Sequence, residues 1–224
     1  MKSYCSIAGI KQGFKSHENE PCFAFYKYDG SCLRFEWSQK KKWHKFGTRH
    51  HLFDESDKEY GRAIEIFNKT YASDLEKIFQ DNKEFKSLER VVVFCEFFGP
   101  SSFGGWHNFN DKNEKFELCL FDVDIHKKGI LLPSDFLKHF GHLRTAEVLY
   151  EGPFTKEFVN KVIYDNLEYE LGEGVVVKGG KSQHKLWMTK VKTKKWLEEL
   201  KTKAEKFKSL AQVLSENQQE QSFG

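Results

Sequence analysis

Val91-Val92-Val93-Phe94-Cys95-Glu96-Phe97-Phe98, closed by Gly99-Pro100, is the stretch that leaves this chain the least choice. Three successive β-branched valines followed by aromatics favour an extended strand over a helix, and Gly-Pro stops it. A run this apolar has to be buried, yet it carries Glu96. A carboxylate buried without a partner costs several kcal/mol, so Glu96 is expected to meet a ligand, a cation or a donor. The alternative is a glutamate on an alternating face turned to solvent.

Other segments repeat the pattern. Cys22-Phe23-Ala24-Phe25-Tyr26 and Cys32-Leu33-Arg34-Phe35-Glu36-Trp37 read as strands, with Asp29-Gly30 as the turn signal between them. Phe116 to Ile125 is a further strand, Ala146 to Tyr150 a short one, and Val175-Val176-Val177 another, entered through Glu173-Gly174. In Leu186-Trp187-Met188-Thr189-Lys190-Val191-Lys192-Thr193 apolar and basic residues alternate, so Lys190 and Lys192 share one strand face. Two adjacent amines repel each other, which an anion between them would relieve; a lysine-lined wet face is the other reading. Between the strands, acids at Asp54–Asp57 open a helix with Tyr60, Ile64, Phe67, Tyr71, Leu75, Ile78 and Phe79 at near-helical spacing. Shorter helices follow Pro133 and Thr155. The first twenty residues read as a polar lead-in. From Lys194 to Glu216 the chain reads as helix with Trp196, Leu197, Leu200, Phe207, Leu210 and Leu214 on one stripe, fraying from Gln218. That stripe packs on the domain in the first reading and docks a protein partner in the second.

Among the 224 residues, 22 are Phe, which supplies a core despite 31% charged residues. A net charge of +3 permits a basic groove for nucleic acid without requiring one. Cys5, Cys22, Cys32, Cys95 and Cys119 are odd in number and widely spaced, which argues for a reducing cytosol and against a disulfide scaffold or structural zinc. His44, His50 and His51 lack a supporting acid or cysteine at ligand spacing. No stretch is apolar enough to span a membrane, and the start lacks the apolar run of a signal peptide. A cytoplasmic protein is expected.

Lys27, in Phe25-Tyr26-Lys27-Tyr28-Asp29-Gly30-Ser31, supports two readings. One is a solvated lysine beside a hairpin turn. The other is an amine that attacks the α-phosphate of a nucleotide. That chemistry requires carboxylates for a divalent metal and the ribose, cations for phosphate charge, and an apolar slot for the base.

Lys27-Tyr28-Asp29-Gly30, Cys95-Glu96-Phe97-Phe98-Gly99, Leu120-Phe121-Asp122-Val123, Glu173 to Lys178 and Lys190-Val191-Lys192, in this order, resemble the motifs of the covalent nucleotidyltransferases: ATP-dependent DNA and RNA ligases and messenger-RNA capping enzymes. Lys27 to Trp37 with Lys45-Phe46-Gly47-Thr48-Arg49 is most similar to the RNA ligase proteins of phage and bacteria. The resemblance implies an α+β nucleotidyltransferase fold of antiparallel sheets flanked by helices, with the ligand pocket between the sheets. It implies a catalytic domain over 1–193. DNA ligases and capping enzymes typically carry an OB-fold domain after the Lys-x-Lys motif. The tail over 194–224 reads as helix packed on the catalytic domain, too short and of the wrong period for that barrel, so no OB-fold domain is expected.

The same resemblance implies roles. Lys27 would be the adenylated nucleophile, Arg49 a contact to phosphate or to the nucleic-acid 5′ end, and Glu96 the holder of the ribose hydroxyls with a share in metal binding. Phe121 would stack on adenine, Glu173 would bind the catalytic Mg2+ or Mn2+, and Lys190 and Lys192 would neutralise the α-phosphate and the leaving pyrophosphate. Asp29 and Gly30 would shape the pocket, and Lys178 belongs to the nucleotide-binding set. Five residues after the nucleophile, where DNA ligases generally carry arginine and many RNA ligases asparagine, this chain has Cys32; Arg34 lies on the same strand face. The implied reaction takes ATP, forms AMP on Lys27 and joins a 5′-phosphate RNA end to a 3′-hydroxyl end. Cations packed around the amine would favour its neutral, nucleophilic form. A capping-type guanylyltransferase, a DNA ligase and a catalytically silent nucleotide- or RNA-binding module are the rivals.

Overall fold

In chain order the elements are β1 (Ala8–Gly9), α1 (Ile10–His17), β2 (Pro21–Lys27), β3 (Ser31–Ser38), β4 (Lys42–Gly47), β5 (Leu52–Phe53), α2 (Gly61–Phe67), a π-helical turn (Asn68–Ala72), α3 (Ser73–Asp81), β6 (Arg90–Phe98), β7 (Glu117–Ile125), β8 (Gly129–Ile130), α4 (Pro133–Phe140), β9 (Val148–Pro153), α5 (Lys156–Ile163), β10 (Gly174–Gly179), β11 (Trp187–Lys192), α6 (Lys194–Lys206) and α7 (Lys208–Glu220). The computed structural model describes residues 1–85, 88–206 and 208–220. Phe207 of the expected tail stripe and residues 221–224 lie outside them. No helix among the described residues is long and apolar enough to cross a membrane.

The chain divides into two compact units. The first comprises Met1–Cys5 and Gly30–Thr145, built on a six-stranded antiparallel sheet ordered β5-β4-β3-β6-β7-β8. Alternation along β3 sends Leu33, Phe35 and Trp37 to one face, where the helices cover them. Phe35 stacks on Phe67 of α2 with ring centroids 3.9 Å apart, and Trp37 packs on Phe79 of α3 at 5.3 Å. Burying side chains of this size stabilises by about 1.5–3 kcal/mol each. The opposite face carries Cys32, Arg34 and Glu36, with Glu96 and Cys119 continuing the Cys32 row across β6 and β7. Met1–Cys5 lies on this polar face: Ser3 Oγ accepts from Arg34 at 2.9 Å, Tyr4 donates to Asp122, and Lys2 pairs with Asp124.

The second unit comprises Ser6–Asp29 and Ala146–Gly224. Its sheet is ordered β1-β11-β10-β2-β9, antiparallel except for the β1–β11 pair. Cys22, Ala24, Val175, Val177 and Val191 face a core closed by Phe154, Phe158, Val159 and Val162 at and in α5. Thr155 caps that helix, accepting from the Phe158 N–H.

Three local expectations are corrected. The first twenty residues contain α1, which a central glycine and only two apolar side chains, Ile10 and Phe14, conceal; Phe14 packs edge-on against Phe154 at 5.4 Å. The helix expected from Asp54 starts at Gly61. Asp54 and Asp57 instead accept from the backbone N–H groups of Ser56, Glu59 and Tyr60, a turn chemistry that competes with helix. Finally, β2 and β3 do not form a hairpin across Asp29-Gly30: β2 pairs with β9 and β10, β3 with β4 and β6. A turn signal fixes a change of direction but not a strand's partner. In the tail, α6 and α7 are helices, and α7 runs to Glu220, past Gln218 where fraying is expected.

Candidate active site

The register of the second unit gathers the lysines. Gly174 of β10 stands opposite both Lys27 of β2 and Lys192 of β11, and Val176 opposite Lys190. Residues paired in register share a face, so Lys27, Lys178, Lys190 and Lys192 all rise from the side opposite the apolar core. Lys178 is buried, its ammonium 4.7 Å from the centre of the Phe25 ring.

Glu173, one residue ahead of β10, counters this charge. Its Oε2 accepts from Lys27 Nζ at 2.5 Å and its Oε1 pairs with Lys192 Nζ at 2.5 Å. Side-chain exposures of 5% for Glu173 and 8% for Lys192 against 21% for Lys27 make Lys27 the member of the triad most open to an incoming group. Burial by itself would raise the Glu173 carboxyl, but the Lys27 and Lys192 charges outweigh it and hold the group below the ordinary glutamate value. Burial lowers the Lys192 ammonium; Glu173 opposes that shift, while Lys27 and Lys190 add to it.

The backbone that presents Glu173 is tightly specified. Gly174 has φ +142°, and a Cβ there would lie 2.1 Å from the Val191 carbonyl, so only glycine fits. Buried Thr193 donates its hydroxyl to the Gly172 carbonyl at 3.0 Å and its N–H to that of Glu173 at 3.1 Å, then accepts from the Trp196 N–H to start α6. Trp196 in turn donates from Nε1 to Asp29 Oδ2 at 2.7 Å. This contact was hidden in the sequence, where Trp196 reads as one member of an apolar stripe.

The remaining candidates stand in the first unit. Glu96 is half-buried in the Cys32–Glu96–Cys119 row, and Phe121 sits at a bulge of β7 with the Tyr4 ring edge-on at 5.1 Å. Arg49 is exposed at the tip of the turn that Thr48 ties to His51. Cys32 does not supply the cation that arginine would: burial first, and Glu96 next, push its thiol up, so it is neutral at physiological pH. Arg34 does share the face of Cys32, but it is engaged by Ser3. A Cβ on Gly30 would lie 2.3 Å from the Phe97 carbonyl, so that glycine permits close approach of β6. Among the described residues no three His, Cys, Asp or Glu side chains gather to hold a metal ion.

His107, which nothing in the sequence distinguished, locks the loop after β6. Its Nε2 is 2.8 Å from Ser31 Oγ and its Nδ1 2.7 Å from Ser102 Oγ. Burial pushes the imidazole down to about 4. The unfolded chain therefore takes up a proton near pH ~6.5 that the folded one refuses, and the stability carried by neutral His107 is full above that pH and lost as pH falls toward about 4. The loss should be on the order of 3 kcal/mol. In urea titrations the stability gap between the parent chain and His107→Gln should narrow between neutral pH and pH 4; a constant gap would contradict this.

Residues 20–197 match the family described as RNA ligase. The chain belongs to the RNA ligase family. That family lies within the covalent nucleotidyltransferase superfamily of enzymes, and solved structures share the fold at low identity. A Naegleria gruberi RNA ligase with pyrophosphate is 16% identical with a TM-score of 0.61, covering 90% of this chain and 58% of that one. A mutant of the same ligase with AMP and manganese is 13% identical, TM-score 0.61, with coverages of 89% and 58%. A putative ATP-dependent DNA ligase from Aquifex aeolicus is 18% identical, TM-score 0.62, with coverages of 96% and 57%. This family member thus spans somewhat over half the length of those ligases. No curated protein matches it.

Proposed function

We propose that this RNA ligase family chain uses ATP to adenylate Lys27 and then joins a 5′-phosphate RNA end to a 3′-hydroxyl end. One observation carries the proposal: the partly open Lys27 amine, held by buried Glu173 beside Lys192 on a face that also bears Lys190 and Lys178. Four cations on one sheet face with a single buried acid make a surface built for polyphosphate.

In the first step the Lys27 nitrogen, having given a proton to solvent, bonds to the α-phosphorus as the bond to the bridging oxygen of pyrophosphate breaks. Lys190 and Lys192 neutralise charge on the transferring and leaving phosphates, and Asp29 sets the turn from which Lys27 projects. In the second, an oxygen of the RNA 5′-phosphate attacks the same phosphorus, the P–N bond breaks, and the amine regains a proton. In the third, the 3′-hydroxyl oxygen, giving its proton to solvent, bonds to the RNA 5′-phosphorus as the anhydride bond to AMP breaks, AMP leaves, and the strand is sealed. Arg49, Glu96 and Phe121 serve the 5′ end, the ribose and the adenine.

The donor set fits Mg2+ or Mn2+ arriving with the nucleotide better than a resident metal. Mg2+ takes one or two protein carboxylates and completes its shell with phosphate oxygens and water, and Glu173 offers one such carboxylate. When bound, the ion would offset triphosphate charge. Glu173 would then exchange its lysine partners for it.

Wild-type protein incubated with α-labelled ATP and magnesium should carry the label covalently, and Lys27→Ala should carry none. A wild-type chain that stays unlabelled refutes the proposal. A DNA ligase is the second reading, favoured by the fold shared with the Aquifex aeolicus protein. Preformed adenylate offered nicked RNA and nicked DNA separates the two, and labelled GTP excludes or reveals capping chemistry.

A further inference from the structure

Trp196 is buried, and its side chain makes polar contacts with two others. Its indole N–H donates to Asp29 at 2.7 Å, and the Lys192 ammonium lies over its ring, 4.2 Å from the centroid. Asp29 is two residues beyond Lys27, and Lys192 shares Glu173 with Lys27. One indole therefore touches the groups on both sides of the nucleophile, although 167 residues separate it from Asp29.

A core tryptophan needs a partner for its N–H, and a nearby carbonyl would suffice. Here the partner is a carboxylate, and the apolar face that should be covered by hydrocarbon carries a cation instead. Tryptophan alone offers a donor at its edge and the strongest cation-binding face among the aromatic residues. Its own position is fixed by the Thr193 cap that also anchors Glu173, so the helix start, the acid and the indole form one rigid assembly. We infer that Trp196 is a positioning residue for adenylation, its N–H fixing the turn that carries Lys27 and its ring holding Lys192 in place.

The ring contact has a specific use. During the reaction Lys192 must trade Glu173 for phosphate oxygens, and a long lysine side chain released from one partner would otherwise turn toward water. The indole face is a partner that does not change during that exchange. The N–H contact acts on a different quantity, the placement of the Lys27 amine against the α-phosphorus, where small displacements cost much rate.

The inference rests on the reading of Lys27 as the adenylated residue, and the test keeps the two apart. Single-turnover labelling is measured over a range of ATP concentrations for wild type, Trp196→Phe and Trp196→Leu, each corrected for the folded fraction. Phenylalanine keeps the face and loses the donor, so its maximal rate should fall about tenfold or more with the half-saturating ATP concentration little changed. Leucine loses both, and its half-saturating ATP concentration should rise about tenfold as well. A role confined to packing predicts that folded Trp196→Phe labels like wild type, and that result overturns the inference. A wild type that takes no label refutes the adenylation reading itself.

A second measurement needs neither nucleotide nor metal, nor a foldable Trp196 variant. The chain has five tryptophans, so five indole N–H signals are expected in a proton–nitrogen correlation spectrum. Asp29→Ala should shift one of them and speed its exchange with solvent. Five signals unmoved by Asp29→Ala would overturn the inference regardless of any kinetic result.

Discussion

Lys27→Arg should take no label from ATP while folding as well as the parent chain. Arginine keeps a positive charge beside Glu173 and can pair with its carboxylate through two parallel N–H donors, so the buried acid retains its counter-ions. What it lacks is a nitrogen lone pair, since a guanidinium does not lose its proton in a protein. Charge and nucleophilicity, inseparable in Lys27→Ala, are thereby separated. Adenylate formation should drop by at least roughly 10^4-fold, with the thermal midpoint moving no more than about 3 °C. The final step makes its bond between a 3′-hydroxyl and a 5′-phosphate and does not use the amine. An RNA whose 5′ end already carries AMP should therefore still be sealed by the variant. Covalent labelling of Lys27→Arg would show that the nucleophile is another residue.

The parts of this site legible in the sequence are those written in local pattern. Alternation along 186–193 places Lys190 and Lys192 on one face, and the structure has them there. The apolar run ending at Phe98 forms β6 with Glu96 on its polar side, and the acid-glycine pair at Glu173-Gly174 stands at the mouth of β10. What local pattern cannot hold is which strand lies beside which. Gly174 and Lys192 meet within a local strand pair, but the register that brings Lys27 to the other side of Gly174 pairs residues about 150 positions apart, and the Trp196–Asp29 bond spans 167. The separation of β2 from β3 was illegible for the same reason. Short elements with few apolar residues, such as α1, give too little signal, and the π-helical turn at Asn68–Ala72 departs from helical phase inside an otherwise regular pattern. His107 was illegible because a histidine in a polar loop acquires meaning only once Ser31 and Ser102 are found on its two nitrogens.

Glu173→Gln should abolish adenylation and also weaken the fold, and a second substitution should repair only the fold. Glutamine matches the size of glutamate but brings no charge, so Lys27 and buried Lys192 would face each other without the carboxylate that both now bind at 2.5 Å. Removing one partner from a buried ion pair costs about 3–5 kcal/mol, because the charge left behind has no compensation. Lys27, being more open, can turn toward water; Lys192 at 8% side-chain exposure has less freedom, so the lower end of that range is expected. In a chain of this length that lowers the thermal midpoint by roughly 10 °C. Lys192→Met in the Glu173→Gln background removes the stranded charge and leaves an apolar chain over the Trp196 ring, so stability should return most of the way, a non-additive outcome expected of groups in contact. Activity should remain lower by about 10^3-fold or more in both variants, because neither can offer the carboxylate to a divalent cation nor, in the double variant, the ammonium to phosphate. Were Glu173→Gln to label at a near-normal rate while losing stability, Glu173 would be a structural counter-ion for two lysines and nothing more. If instead the double variant stayed as unstable as the single one, the stranded Lys192 charge would not be the source of the loss, and the electrostatic account of the triad would be wrong.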